Sequence, residues 1–182
     1  IIQENTQRVS GLVSKFRQTS VDQYSDRKRW FNVKEYIQEA LTYLRSNIEH
    51  TNHHVNIACD DDLKMHSFSN SLCQIVSALV MNSISHGFEF INEGNIDISV
   101  RLEGDKVKFD YRDDGAGMSQ EQVERVFDPF FTTKRSGGTG LGLYIVYNLI
   151  TLKMKGTIHC DSELGKGTII HISLPKKIEL NT

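Results

Sequence analysis

Apolar residues recur along this chain with two different periods, and the changes of period divide it into elements. Ile2, Val9, Leu12, Val13 and Phe16 make one stripe among Gln, Arg and Lys, so residues 1–20 read as a helix. A lone short helix with such a stripe needs a partner to cover it. Residues 21–31 are polar, break the period and read as a linker. At Asn32 a helix restarts with a capping box to Glu35, and Tyr36, Ile37, Ala40, Leu41, Leu44 and Ile48 supply its buried face.

The two periods then alternate. Val55, Ile57 and Cys59 predict a strand, and Leu72, Ile75, Val76, Leu79 and Val80 a helix. Ile96, Ile98, Val100 and Leu102 alternate, as do Val107, Phe109 and Tyr111, with Glu103-Gly104-Asp105 as the hairpin turn between them. Ser119 to Gln122 is a second capping box, with Met118 and Val123 placed as a hydrophobic staple. Leu141 to Leu152 is a strongly apolar helix, and residues 156–161 and 167–174 form a last hairpin around Gly165-Lys166-Gly167. Strands that pair locally, with helices over one face, make an α+β two-layer sandwich rather than a βαβ doubly wound fold. The sheet is expected to be mixed but mostly antiparallel, preceded by a helix.

Composition narrows the class. A chain of 182 residues holds one sizeable domain and a small appendage. With 38% hydrophobic and 24% charged residues it reads as soluble and globular, and a net charge of −2 gives no reason to expect nucleic acid. No apolar run is long enough to span a bilayer, and no signal peptide is visible. The chain opens at Ile1 inside an apparent helix, so it reads as part of a longer protein. Cys59, Cys73 and Cys160 are widely spaced and odd in number, which suits free thiols in a reducing compartment rather than a disulfide or metal site. His50, His53 and His54 carry no third-ligand pattern, so a metal is not expected there.

Candidate chemistry gathers at glycine-bearing segments. Asn82 and His86 fall on the same helical arc as Leu72, Ile75 and Leu79. They are either core residues bonded to backbone or, for Asn82, a hard oxygen ligand for magnesium. Asp113 ends a strand ahead of Gly115 and Gly117, where the segment Asp113-Asp114-Gly115-Ala116-Gly117 is either an ordinary turn or a base-reading loop. Residues 137–142 precede a helix, so the amides of Gly140, Leu141 and Gly142 suit phosphate. About twenty residues lie between these motifs, few of them apolar outside Phe127–Phe131, which suits a lid over a nucleotide.

Taken in order, Asn82, Asp113-Asp114-Gly115-Ala116-Gly117, Phe127-Asp128-Pro129-Phe130-Phe131-Thr132-Thr133-Lys134, Gly138-Thr139-Gly140-Leu141-Gly142-Leu143 and Gly165-Lys166-Gly167-Thr168 resemble the ATP-binding catalytic domain of sensor histidine kinases. That domain belongs to a wider family with gyrase, mismatch-repair and heat-shock ATPases, and has a Bergerat-type fold. The resemblance covers roughly residues 32–176, with the catalytic domain placed at 32–178. It implies ATP and magnesium (Mg2+) as cofactors, with Asn82 as the metal ligand, Asn82, His86 and Lys134 as catalytic residues, and Asp113 as the adenine reader. It adds Gly115, Gly117, Phe127, Thr132, Thr133, Gly138, Thr139, Gly140, Leu141, Gly142 and Thr168 to the nucleotide contacts. Asp114 departs from the family's usual Asn. Ser85 replaces a common Lys or Arg, a charge that Lys134 or Arg135 would supply.

Relatives that hydrolyse ATP place a Glu four residues before the magnesium Asn. Here that residue is Ala78, which can activate no water. The resemblance therefore implies a protein-histidine kinase, and none of the seven His is followed by an acidic residue as the family's acceptor is. The acceptor is expected upstream, with residues 1–20 as the second helix of a dimerisation domain. Homodimerisation, a response regulator as partner, a cytoplasmic location and no direct membrane contact follow from the same resemblance. The alternatives are an ATPase of the family, a serine-directed anti-sigma kinase, and a nucleotide-sensing module without transfer.

Overall fold

The computed structural model describes residues 27–134 and 138–178, so the helix expected over residues 1–20 lies outside the described residues. In chain order the elements are β1 (Arg29–Asn32), α1 (Val33–Tyr43), α2 (Arg45–Glu49), β2 (His54–Cys59), β3 (Lys64–Ser67), α3 (Ser69–Asn82), β4 (Asn95–Glu103), β5 (Lys106–Asp113), α4 (Gln120–Arg125), α5 (Gly142–Asn148), β6 (Thr157–Glu163) and β7 (Gly167–Pro175). Two helices continue as wider π-type turns, α3 through Ser83–Gly87 and α5 through Leu149–Lys153.

Five strands form one sheet in the order β2-β4-β5-β7-β6, and β1 pairs with β3 in a separate ribbon. The two hairpins expected from alternation, β4–β5 and β6–β7, are present. The pairings that join them are non-local: β5 lies antiparallel to β7, and β2 runs parallel to β4. The sheet is thus mixed and mostly antiparallel, in an α+β two-layer arrangement. Residues 29–31, read from the sequence as the end of a polar linker, are part of β1. Over four residues only Phe31 is buried and Trp30 stays 55% exposed, too short an alternation to stand out from a linker.

Each strand of the hairpins offers one apolar face. Ile96, Ile98, Phe109, Tyr111, Ile170 and Ile172 point toward the helices. Against them α3 buries Leu72, Ile75, Val76, Leu79 and Val80, each worth roughly 1.5–3 kcal/mol when taken from water. The opposite sheet face is polar: Arg101 pairs with Asp110, whose other oxygen meets His171 Nδ1 at 2.7 Å.

Caps fix where the helices start. Asn32 accepts a bond from the Glu35 amide at 3.1 Å and donates its own amide to the Asp61 carbonyl. At Ser119 both halves of the capping box form with Gln122. These caps set the directions of α1 and α4, and α4 leads directly into one wall of the main cavity.

Candidate functional site

A cavity of about 590 Å³ opens between α3 with its π-type extension and the loops that follow β5, α4 and residue 138. Ala78, Asn82 and His86 reach it from the helix, one turn apart. Asp113, Ala116, Gly117 and Met118 form one end, and Thr132, Thr133 and Lys134 the facing wall. Gly138, Thr139, Gly140, Gly142 and Thr168 complete it. Arg135 lies outside the described residues.

Three residues assigned to the site from sequence do not line the cavity: Gly115, Phe127 and Leu141. Phe127 packs on the Tyr147 ring at 5.5 Å, and Phe131 is the aromatic of this segment that reaches the cavity, which Phe90 also lines. Leu141 is the residue before α5, its amide turned to Thr139 Oγ1 at 3.4 Å. Gly115 stands behind the cavity for a reason that the sequence does not reveal. A Cβ there would sit 2.7 Å from the Gly87 carbonyl oxygen, so only glycine lets the loop after β5 meet the end of the π-type turn. The Ala116 amide then donates to the Gly87 carbonyl at 2.8 Å. Gly117 has φ +66° and latches the same loop to the β6–β7 turn. The flanking bonds are Gly165 N to Ala116 O at 2.7 Å and Met118 N to Ser162 Oγ at 2.9 Å.

Asp113 and Asp114 are separated by this geometry. Asp114 turns away and takes both the amide and the side-chain nitrogen of Asn95, at 2.7 and 2.8 Å. Burial would raise Asp114, but the Asn95 bonds hold it below its ordinary value. Asp113 is only 4% exposed and lines the cavity. It accepts from Ser83 Oγ at 2.6 Å and from the Gly115 amide at 3.1 Å. Burial pushes its carboxyl up, against the pull of those bonds and of the Thr168 backbone.

His86 Nδ1 lies 3.3 Å from Thr133 Oγ1, which ties the helix to the opposite wall. Burial lowers the imidazole, Lys134 across the cavity lowers it further, and Glu89 opposes both. His86 is therefore a neutral ring near pH 7. It can share a hydrogen bond with an anionic ligand without adding positive charge.

Sequence reading did not single out Ser83, the buried polar residue that bonds Asp113. Its signal was present: it lies one turn beyond Leu79 on the buried stripe. The apolar walls Met81, Met118 and Leu143 were also not assigned, because nothing local distinguishes a cavity wall from core.

Residues 68–178 match the family of histidine kinase-, DNA gyrase B- and HSP90-like ATPases. The chain belongs to this family. Sporulation kinase A of Bacillus subtilis is 28% identical over 178 residues, covering 97% of this chain and 28% of that protein. Sensor kinase CckA of Brucella abortus is 51% identical over 78 residues, which is 42% of this chain and 8% of CckA. The nucleotide-free catalytic domain of histidine kinase ThkA superposes with a TM-score of 0.73 at 27% identity, covering 83% of this chain and 97% of that domain. This chain spans between 8% and 38% of the length of the first four curated relatives.

The donor set of this family member fits magnesium and a nucleotide. The Asn82 carboxamide is half-buried, lines the cavity and has no hydrogen bond among the described residues. Among the described residues no cluster of three His, Cys, Asp or Glu could hold a metal by itself. A single amide oxygen suits magnesium, which keeps several waters and takes other ligands from phosphates. The polar Asp113 end, the apolar walls and the end formed by Lys134 with Gly138, Thr139, Gly140 and Gly142 suit a base, its surroundings and an anion in turn.

Proposed function

We propose that this chain is the ATP-binding catalytic part of a two-component sensor histidine kinase. It transfers the γ-phosphoryl group of ATP to a histidine on an upstream helical segment, for relay to a response regulator. Residues 1–20 are read as the second helix of that dimerising segment and residues 32–178 as the catalytic domain. No helix of the described residues is long and apolar enough to cross a membrane, and a cytoplasmic location is part of the proposal.

The observation that carries the choice of kinase over ATPase is Ala78 on the cavity wall, one turn before Asn82. A methyl group there activates no water. Among the described residues, the two carboxylates that line the cavity are Asp113, engaged by Ser83 and Gly115, and Glu89, which is exposed. Phosphoryl transfer to an external nucleophile needs little more than positioning and charge stabilisation.

In this reading Asp113 accepts a hydrogen bond from the adenine amine. Asn82 holds magnesium, whose chemistry is to neutralise charge on the phosphates. His86, Thr132, Thr133 and Lys134 contact the phosphates from two sides, with the Gly138–Gly142 backbone and Thr168 closing the pocket. Phe127 anchors the segment between the motifs through Tyr147 rather than touching the nucleotide.

Two experiments test the reading. Incubated with γ-labelled ATP, this chain is expected not to label itself. Mixed with a polypeptide carrying the upstream helices of its parent, it labels a histidine there, with acid-labile, alkali-stable phosphate. Stable label on the isolated chain, or brisk phosphate release that Asn82→Ala abolishes, would replace the kinase reading with a different acceptor or with an ATPase. Asp113→Asn is expected to weaken ATP and ADP binding roughly five- to hundredfold, since losing one partner of a buried polar contact costs ~1–3 kcal/mol. Calorimetric titration checks it, and equal ATP and GTP affinity for the unmutated chain would remove the adenine role from Asp113.

A further inference from the structure

Three buried polar groups form a line behind the base end of the cavity: Tyr111, Ser83 and Asp113, at 2%, 1% and 4% exposure. The Tyr111 hydroxyl donates to Ser83 Oγ at 2.8 Å, and Ser83 donates to Asp113 Oδ2 at 2.6 Å. Neither Tyr111 nor Ser83 lines the cavity, so neither touches what binds there.

We infer that Tyr111 and Ser83 are positioning residues that hold Asp113 as an acceptor only, and thereby select adenine, which carries an amino group where guanine carries its ring carbonyl. The inference rests on the nucleotide reading above. Its logic is a count of protons. A hydroxyl has one proton to give. Burial pushes the Tyr111 phenol far above its ordinary range, so it keeps its proton and spends it on Ser83. With Tyr111 donating to it, Ser83 has its single proton free for Asp113. The Gly115 amide donates to the other oxygen. Each of these bonds favours the ionised carboxylate at Asp113, against a burial that favours the neutral acid. An ionised carboxylate accepts from an amino group and repels a carbonyl oxygen. A protonated one could donate to that carbonyl, and the selectivity would be lost.

The groups around Asp113 leave the relay as the adjustable element. Asp114 on the same loop raises Asp113. Cys160 on β6 is pushed by burial up to about 12 and stays a thiol. His86, Glu89 and Lys134 line the same cavity, with His86 neutral. Removing the Ser83 bond removes a force that lowers Asp113, so the ionised form is lost at a higher pH as pH falls.

The test uses Tyr111→Phe and the double variant Ser83→Ala with Tyr111→Phe in the whole chain. The double variant deletes both hydroxyls together, so neither is left buried without a partner. Magnesium-ADP and magnesium-GDP affinities are measured by calorimetry from pH 5 to 8.5. The double variant should lose ADP affinity at a higher pH than the unmutated chain. It should bind about tenfold more weakly at pH 6 and within about threefold at pH 8.5, with a reduced preference for ADP over GDP at pH 6. Tyr111→Phe should move the midpoint the same way by less. A midpoint unmoved in both variants, with any loss equal at every pH, overturns the inference. Asp113→Ala separates the two levels. Unchanged ADP affinity in that variant would sink the nucleotide reading itself. A large loss there beside unmoved relay variants would sink the relay alone.

Discussion

Gly117→Ala is expected to lower the thermal midpoint by about 10 °C. The Cβ would stand 1.9 Å from the Glu163 carbonyl oxygen and 2.8 Å from its carbon, both backbone atoms that cannot swing aside. Gly117 also sits at φ +66°, where an L side chain adds roughly 1–2 kcal/mol. Relief requires the β6–β7 turn to move, which breaks Gly165 N to Ala116 O and loosens the Ser162 bonds to Met118 and Gly167. A total of about 3–5 kcal/mol is the scale of such single-site failures, and at ~2–4 °C per kcal/mol that gives the stated shift. Gly104→Ala is the control. Its φ is +62° but no atom lies within 4 Å of the added Cβ, so only the backbone term applies. Differential scanning calorimetry of both variants decides, and equal falls for the two would refute the steric argument.

Asn82→Ala is expected to do the reverse, sparing stability and removing function. On the role proposed for it, the variant loses about a hundredfold in magnesium-dependent nucleotide affinity while its thermal midpoint stays within about 2 °C. The side chain has no hydrogen bond among the described residues, so truncation orphans no buried partner. The core on this helix is carried by its neighbours Leu79, Val80 and Ser83, which stay in place. ADP titrations with magnesium and with EDTA provide the readout. They should differ for the unmutated chain and coincide for the variant. A variant that keeps a difference between the two arms takes the metal away from Asn82.

These two residues also mark how legible the site was in the sequence. Asn82 stood out because a polar residue in an apolar helical stripe contradicts its surroundings, and Ala78 followed by counting one turn back. Gly117 stands out as glycine in a short loop after a strand, and it adopts φ +66°. The resemblance puts Gly115 among the nucleotide contacts, whereas its close neighbour is the Gly87 backbone. Phe127 and Leu141 belong to segments that line the cavity but themselves face Tyr147 and the start of α5. Neighbours in a motif share a location, yet the direction of each side chain depends on what packs on the other side. Ser83 was passed over because a small hydroxyl in a helix is unremarkable until the carboxylate that it bonds, thirty residues away, is brought beside it.

The sequence by itself determined whatever depends on near neighbours. It set the periods of the helices and strands, the Ser119 capping box, the two hairpins, the order of the nucleotide motifs and the absence of a carboxylate at position 78. Local periodicity and turn chemistry act within a few residues, so they are written in the chain. Only the tertiary structure decided the parallel pairing of β2 with β4, the β1–β3 ribbon, the latch between Gly117 and the β6–β7 turn, and the line from Tyr111 through Ser83 to Asp113. Each of these joins segments far apart in sequence, and is held by burial and hydrogen bonds that exist only after the layers have closed.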